Sequence, residues 1–181
     1  MSSEGEKLLC GKLESIINSD FKMHSQINGK SITEDAKVRI DYLLYPNEIL
    51  IEHGFDPVWF GIEVKHFAKQ PELHEMTRFY WQCISYQQSV FNLDGGVRPA
   101  FVLGFSNLEF VDLRGELWIP LHLLAALAKV GSINYYHRKN SEIPYGWHIQ
   151  FATSTYFSYK HGEFKRYLYN MKKKNTGNCA I

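Results

Sequence analysis

Residues 59–67, WFGIEVKHF, read as a buried β-strand, because aromatic, β-branched and small apolar residues flank its centre. Glu63 and Lys65 nevertheless sit in the middle of it. Residues two apart in a strand project to one face, so Glu63 and Lys65 point together while Ile62 and Val64 point the other way. A carboxylate and an ammonium inside an apolar strand are costly unless something compensates them. Two explanations stand at this point: a structural ion pair at a strand end, or a divalent-metal site with a lysine beside it.

Working outward, the spacing alone does not choose. Acid-x-Lys also occurs at Asp20-Phe21-Lys22, Asp35-Ala36-Lys37 and Glu163-Phe164-Lys165. Only Glu63-Val64-Lys65 lies deep in an apolar strand. It is also preceded by a second strand with an embedded acid, Asp41 in VRIDYLLY (residues 38–45). If the two strands pair, Asp41 and Glu63 lie side by side. Convergent carboxylates repel each other, and a hard oxygen-seeking cation, Mg²⁺ or Mn²⁺, relieves that repulsion. A neighbouring amine can offset charge on a phosphoryl group.

The rest of the chain supplies a frame for these residues. Leu9, Leu13, Ile16 and Ile17 mark one face of a helix over 4–19. Phe21–Ile27 reads as a strand closed by an Asn28-Gly29 turn, and 38–45 as the next. Glu48–Glu52 is expected as a short strand or hairpin arm, followed by a turn over Gly54–Pro57. Pro71 opens a long helix reaching about Phe91, and Asp94-Gly95-Gly96 stops it. Pro99–Phe105 is a short strand, apolar throughout as for one covered on both faces. Beyond it, the pattern predicts a hairpin over 109–119, a helix over 120–129, strands at 133–137 and 147–151, and a last helix from Gly162 to about Lys173.

Composition narrows the class. The chain has 181 residues, enough for one domain with a real core, with 45 % hydrophobic and 22 % charged residues. Its net charge of +1 announces no global basic field, so any nucleic-acid partner needs a local patch. Cys10, Cys83 and Cys179 are odd in number and far apart, which disfavours a disulfide framework or a zinc finger. The start, MSSEGEKLL, is acidic and unlike a signal peptide, and no apolar run approaches the ~18–20 residues that span a bilayer. A cytoplasmic, intracellular protein without a membrane partner is therefore expected. No GxSxG elbow and no phosphate-binding glycine loop occur.

The order helix, strand, strand with Asp41, strand with Glu63-Val64-Lys65, helix, strand resembles the core of the PD-(D/E)XK nuclease superfamily. The helix after the motif contains Gln82-Cys83-Ile84-Ser85-Tyr86, a QxxxY spacing that resembles the lambda exonuclease and RecB-type branch. The resemblance spans about residues 4–105. It implies an α/β restriction-endonuclease-like fold with an αβββαβ core, a central mixed sheet flanked by helices. An aromatic-rich α+β extension over 106–181 would complete a single nuclease-like domain. It implies hydrolysis of DNA with one or two Mg²⁺ or Mn²⁺ ions held by Asp41, Glu63 and the carbonyl of Val64. Among the catalytic residues so implied, Lys65 would position the attacking water and help stabilise the transition state, and Gln82 and Tyr86 would support the metal-bound water and the substrate phosphate. An acid from the first helix would join them, Glu14 by motif context and Glu6 in reserve. The resemblance departs at Ile40, where a proline is usual, and in lacking the iron–sulfur cysteines of some members.

Arg138-Lys139 and Lys165-Arg166, interleaved with tyrosines, are candidate nucleic-acid contacts, although such runs are also ordinary solvated surface. The expected partner is DNA, double-stranded or with single-stranded regions, and the pattern admits a homodimer. Two alternatives to the deoxyribonuclease are a non-catalytic binding module on the same fold and an RNA endonuclease. Cys83 is expected in the core and His66 as a packed residue.

Overall fold

The computed structural model describes residues 4–108, 118–137, 144–152, 154–160 and 162–167. In chain order the elements are α1 (Glu4–Ile17), β1 (Phe21–Ser31), β2 (Lys37–Pro46), α2 (Glu48–Glu52), β3 (Phe60–Lys65), α3 (Leu73–Gln87), β4 (Ser89–Phe91) and β5 (Val102–Ser106). Then follow α4 (Trp118–Leu127), β6 (Val130–His137), β7 (Pro144–Phe151), β8 (Ser154–Lys160) and β9 (Glu163–Arg166). The molecule is α/β, with one mixed nine-stranded sheet in the order β4-β1-β2-β3-β5-β6-β7-β8-β9. β3–β5 and β5–β6 pair in parallel, the rest antiparallel. Parallel neighbours need a long crossover, which α3 and α4 supply.

Several elements depart from the sequence expectation. Asn28-Gly29 is not a turn, because β1 runs through it to Ser31. Gly29 is needed for a different reason: a Cβ there would lie 2.6 Å from the Phe91 ring and from the Val90 carbonyl of β4. Residues 48–52 are a helix, whose start is capped by the Asn47 side chain accepting from Leu50 N–H. α3 ends at Gln87, and residues 89–91 leave it to pair with β1. Glu163–Arg166 is a strand rather than the start of a helix; Gly162, at φ +84°, turns β8 back on β9. The hairpin expected over 109–119 falls mostly outside the described residues, and Trp118 and Ile119 begin α4. The expected C-terminal extension continues the same sheet as β6–β9.

That sheet is strongly curled. Phe21 of β1 and Trp147 of β7 are five strand intervals apart in the order, or ~24 Å in a flat sheet. Their ring centroids are 5.4 Å apart. The concave side is closed by α1, through Leu9, Leu13 and Ile17, and by aromatic residues of the C-terminal strands, Trp147, Phe151 and Phe157. Phe60, Ile62 and Val64 of β3 point into this core. The opposite side is covered by Met76, Phe79, Tyr80, Cys83 and Tyr86 of α3 and by Ala125 of α4. Gly104 of β5 lets α3 lie close, since a Cβ there would stand 2.8 Å from the Phe79 ring. No helix among the described residues is long and apolar enough to cross a membrane.

Trp147 ties the C-terminal strands to the N-terminal half: it is 1 % exposed and its Nε1 donates to Asp20 Oδ2 at 2.9 Å. Trp147→Ala is expected to lose about 3–5 kcal/mol in chemical denaturation. A loss below ~0.5 kcal/mol, within the ordinary surface range, would show that the two halves do not share a core.

Candidate active site

The site forms where β2 and β3 part. Their register ends at Tyr42↔Ile62, so the next residues outward, Asp41 and Glu63, face each other across the opening. Beyond that point Val64 N–H has no ladder partner on β2; it donates instead to Asp41 Oδ2 at 2.8 Å. The other oxygen, Oδ1, accepts from Gln26 Nε2 at 2.8 Å. Gln26 stands at φ 55°, a left-handed backbone that a non-glycine residue adopts at a cost, and the β1–β2 register skips it. Asp41 is thus oriented by one side-chain amide and one main-chain amide.

Glu63 is buried, 7 % exposed, on the face that α3 covers. Gln82 Nε2 donates to Glu63 Oε1 at 2.5 Å and to the Tyr86 hydroxyl at 2.7 Å. Glu63 Oε2 is buried, and no donor reaches it. Burial first, and the Asp41 charge next, push the Glu63 carboxyl up to about 9; Lys65 opposes this as a smaller effect. Burial first, and Glu63 next, raise the Tyr86 hydroxyl, which stays neutral.

Lys65 closes the row at the end of β3, with Nζ donating to Glu6 Oε1 at 3.1 Å. The acid that α1 brings to the cleft is Glu6. Glu14 accepts from the Tyr42 hydroxyl at 2.8 Å, and Tyr42 points to the concave core, away from Asp41. The metal-ligand role expected of Glu14 therefore has no support in its position. Tyr86 also differs from expectation: it is buried in the core beneath α3 and meets the cleft through its hydroxyl. Cys83 is fully buried, as expected.

These groups line an open cleft of about 910 Å³, with Asp41, Glu63, Val64, Lys65, Gln82 and Tyr86 among its walls. Lys37 and Arg39 of β2, and Arg78 and Trp81 of α3, complete it and were not singled out by sequence. Two signals pointed to them: Lys37, Arg39 and Asp41 alternate at the strand period, and Arg78 lies one helical turn before Gln82. Lys165 and Arg166, two of the basic residues expected to bind nucleic acid, do not line this cleft. Arg166 donates to the Gly54 carbonyl at 2.9 Å, pairs with Asp56 at 3.2 Å and covers the Tyr156 ring. Lys165 pairs with Glu163 at 2.8 Å. Arg138 and Lys139 fall outside the described residues.

Among the described residues no three His, Cys, Asp or Glu side chains gather as a metal cage. The cleft offers a pair of carboxyls, one with a buried oxygen that lacks a donor. That donor set fits Mg²⁺ or Mn²⁺, which bind through one or two carboxylates and share the rest with water and phosphate. Searches against protein-family models, curated proteins and solved structures find no match.

The raised Glu63 fixes a pH dependence in metal-free protein. Its folded value, about 9, lies above the ordinary 4.5, so the folded state keeps a proton that the unfolded state has lost between those values. Stability in EDTA is expected to fall as pH rises from about 4.5 to about 9 and then level. Glu63→Gln keeps the acceptor for Gln82 and removes this descent, melting higher than the native protein at pH 8 and equally at pH 4. Identical pH profiles for the two proteins would refute the shift.

Proposed function

We propose that the protein is a Mg²⁺- or Mn²⁺-dependent nuclease that hydrolyses DNA phosphodiester bonds, built on a restriction-endonuclease-like core of α1, β1, β2, β3, α3 and β5. The observation that carries this reading is the meeting of Asp41 and Glu63 at the parting of two strands, with Lys65 alongside and Gln82 and Tyr86 behind Glu63. A structural ion pair would not need this arrangement. Lys65 bonds Glu6 rather than Glu63, and Glu63 has a second carboxyl, Asp41, beside it.

Asp41 and Glu63 would hold the cation through carboxylate oxygens, with the Val64 carbonyl as a third oxygen. When bound, the cation supplies charge neutralisation between the acids and a Lewis acid toward water and phosphate. The chain's own residues do the rest. Gln26 and Val64 N–H fix the plane of Asp41, and Gln82 fixes Oε1 of Glu63. The Lys65 ammonium donates to a non-bridging phosphate oxygen, where negative charge grows as water adds to phosphorus. Glu6 holds that ammonium in place. The water oxygen forms the new bond to phosphorus and gives up one proton to solvent, the bond to the leaving sugar oxygen breaks, and that oxygen takes a proton from solvent, so one water is consumed for each bond cut.

Purified protein is incubated with single-stranded DNA, duplex DNA and RNA in Mg²⁺, Mn²⁺ or EDTA. Cleavage of DNA with either ion and none in EDTA is expected. Asp41→Ala, Glu63→Ala and Lys65→Ala should each lose at least ~10²–10³-fold in rate. By calorimetry Mn²⁺ binding should fail in the two acid variants and persist in Lys65→Ala. Native protein that cuts no DNA with either ion, or Asp41→Ala that binds Mn²⁺ unchanged, overturns the proposal; RNA cut in place of DNA transfers it to a ribonuclease.

A further inference from the structure

Trp81 differs from the two other tryptophans whose side chains are described. Trp147 is 1 % exposed, and Trp59 packs against His24 and Tyr45. Trp81 is 62 % exposed and meets no other ring among the described residues. Holding an indole in water is unfavourable, and here it stands one residue before Gln82 on the cleft side of α3. A second depression of about 710 Å³, along α3 past Leu73 and Thr77, shares Trp81 and Arg78 with the cleft. The two hollows therefore form one continuous path, with the indole at their junction.

The cations along this path are uncommitted. Lys37, Arg39 and Arg78 form no ion pair among the described residues, whereas Lys65 is held by Glu6 and Lys165 and Arg166 by Glu163 and Asp56. Lys37 and Arg39 extend the Asp41 row along β2, and Arg78 faces them from α3. Positive groups on both walls, with a bare aromatic face between the hollows, match a polyanion that carries flat apolar rings. In a duplex each base face is already covered by its neighbours, so an indole can stack only on a base that is unpaired.

Resting on the hydrolytic reading of the same cleft, we infer that the strand crossing it is single-stranded, with one base stacked on Trp81 and its phosphates held by Arg78, Arg39 and Lys37. The substrate class is then DNA with a single-stranded segment or a frayed end. Three phosphate-contacting cations give a salt dependence of slope about −2 in log affinity against log salt, at ~0.7 per contact.

The test is fluorescence anisotropy in EDTA with a short labelled oligothymidylate, an abasic strand of equal length and a blunt duplex. Trp81→Ala should weaken the oligothymidylate ~5- to 100-fold and leave the abasic strand within about twofold. Trp81→Phe, which keeps a ring, should retain most of the affinity, and Trp81→Leu, which keeps only bulk, should not. Arg78→Ala should weaken both strands. Thermal melts matching the native protein would establish that the exposed substitutions leave the fold intact. Unchanged affinity in Trp81→Ala, a duplex bound as tightly as the single strand, no binding of any strand, or a native dimer that buries Trp81 overturns the inference. The two proposals fail separately: a strand that binds through Trp81 but is not cut in Mn²⁺ removes hydrolysis alone. A strand cut at the native rate by Trp81→Ala removes stacking alone.

Discussion

Two carboxyl groups, Asp41 and Glu63, are brought together where β2 and β3 part, and the burial of Glu63 beside a second carboxyl makes its charged form costly. Everything around them answers that constraint. Gln26 adopts an unfavourable backbone to reach Asp41, a main-chain amide of β3 turns to the same carboxyl, and Gln82 is locked against Glu63 by Tyr86. The helix that carries Gln82 lies close to the sheet because Gly104 leaves it room. Burying the Glu63 carboxyl beside a second carboxyl costs stability instead of adding it. Four groups nonetheless hold the pair in place, the Gln26 and Gln82 amides, the Val64 N–H and, through Gln82, the Tyr86 hydroxyl, as the proposed cation site would require.

Division of labour between the two faces of the sheet follows from the alternation of β3. Phe60, Ile62 and Val64 go into the concave core, which the curled C-terminal strands and α1 complete. Gly61, Glu63 and Lys65 go to the other side, under α3 and at the open edge. Both faces carry a core, but the candidate cleft opens only beside α3, so the aromatic residues of β7 and β8 back the sheet from the concave side and do not line the cleft.

The site was legible in sequence where burial makes charge conspicuous. Asp41, Glu63 and Lys65 stand out because apolar strands rarely contain acids, and the Gln82–Tyr86 spacing follows from one helical turn. What was not legible depends on where elements meet. A helical wheel gives the angle of Glu6 and Glu14 but not the height at which α1 crosses β3; the crossing favours the first turn, hence Glu6. Gly29 mimics a turn signal, yet its requirement is the close approach of β4, a partner distant in sequence. The five residues of α2 are too few for periodicity, and only the Asn47 cap announced them. The path of β9 was hidden because Glu163–Arg166 has no apolar alternation to distinguish strand from helix.

The Asp41–Val64 bond has one more consequence. A side-chain carboxylate here does the work of a backbone carbonyl, so the seam between two strands is fastened by a group whose electron density answers to whatever it binds. In the proposed cation complex, charge drawn out of that oxygen would weaken the bond and leave the Val64 amide proton less deshielded, so that this one backbone position would report occupancy by nuclear magnetic resonance. Capture of a cation by Asp41 would therefore act directly on the seam between β2 and β3.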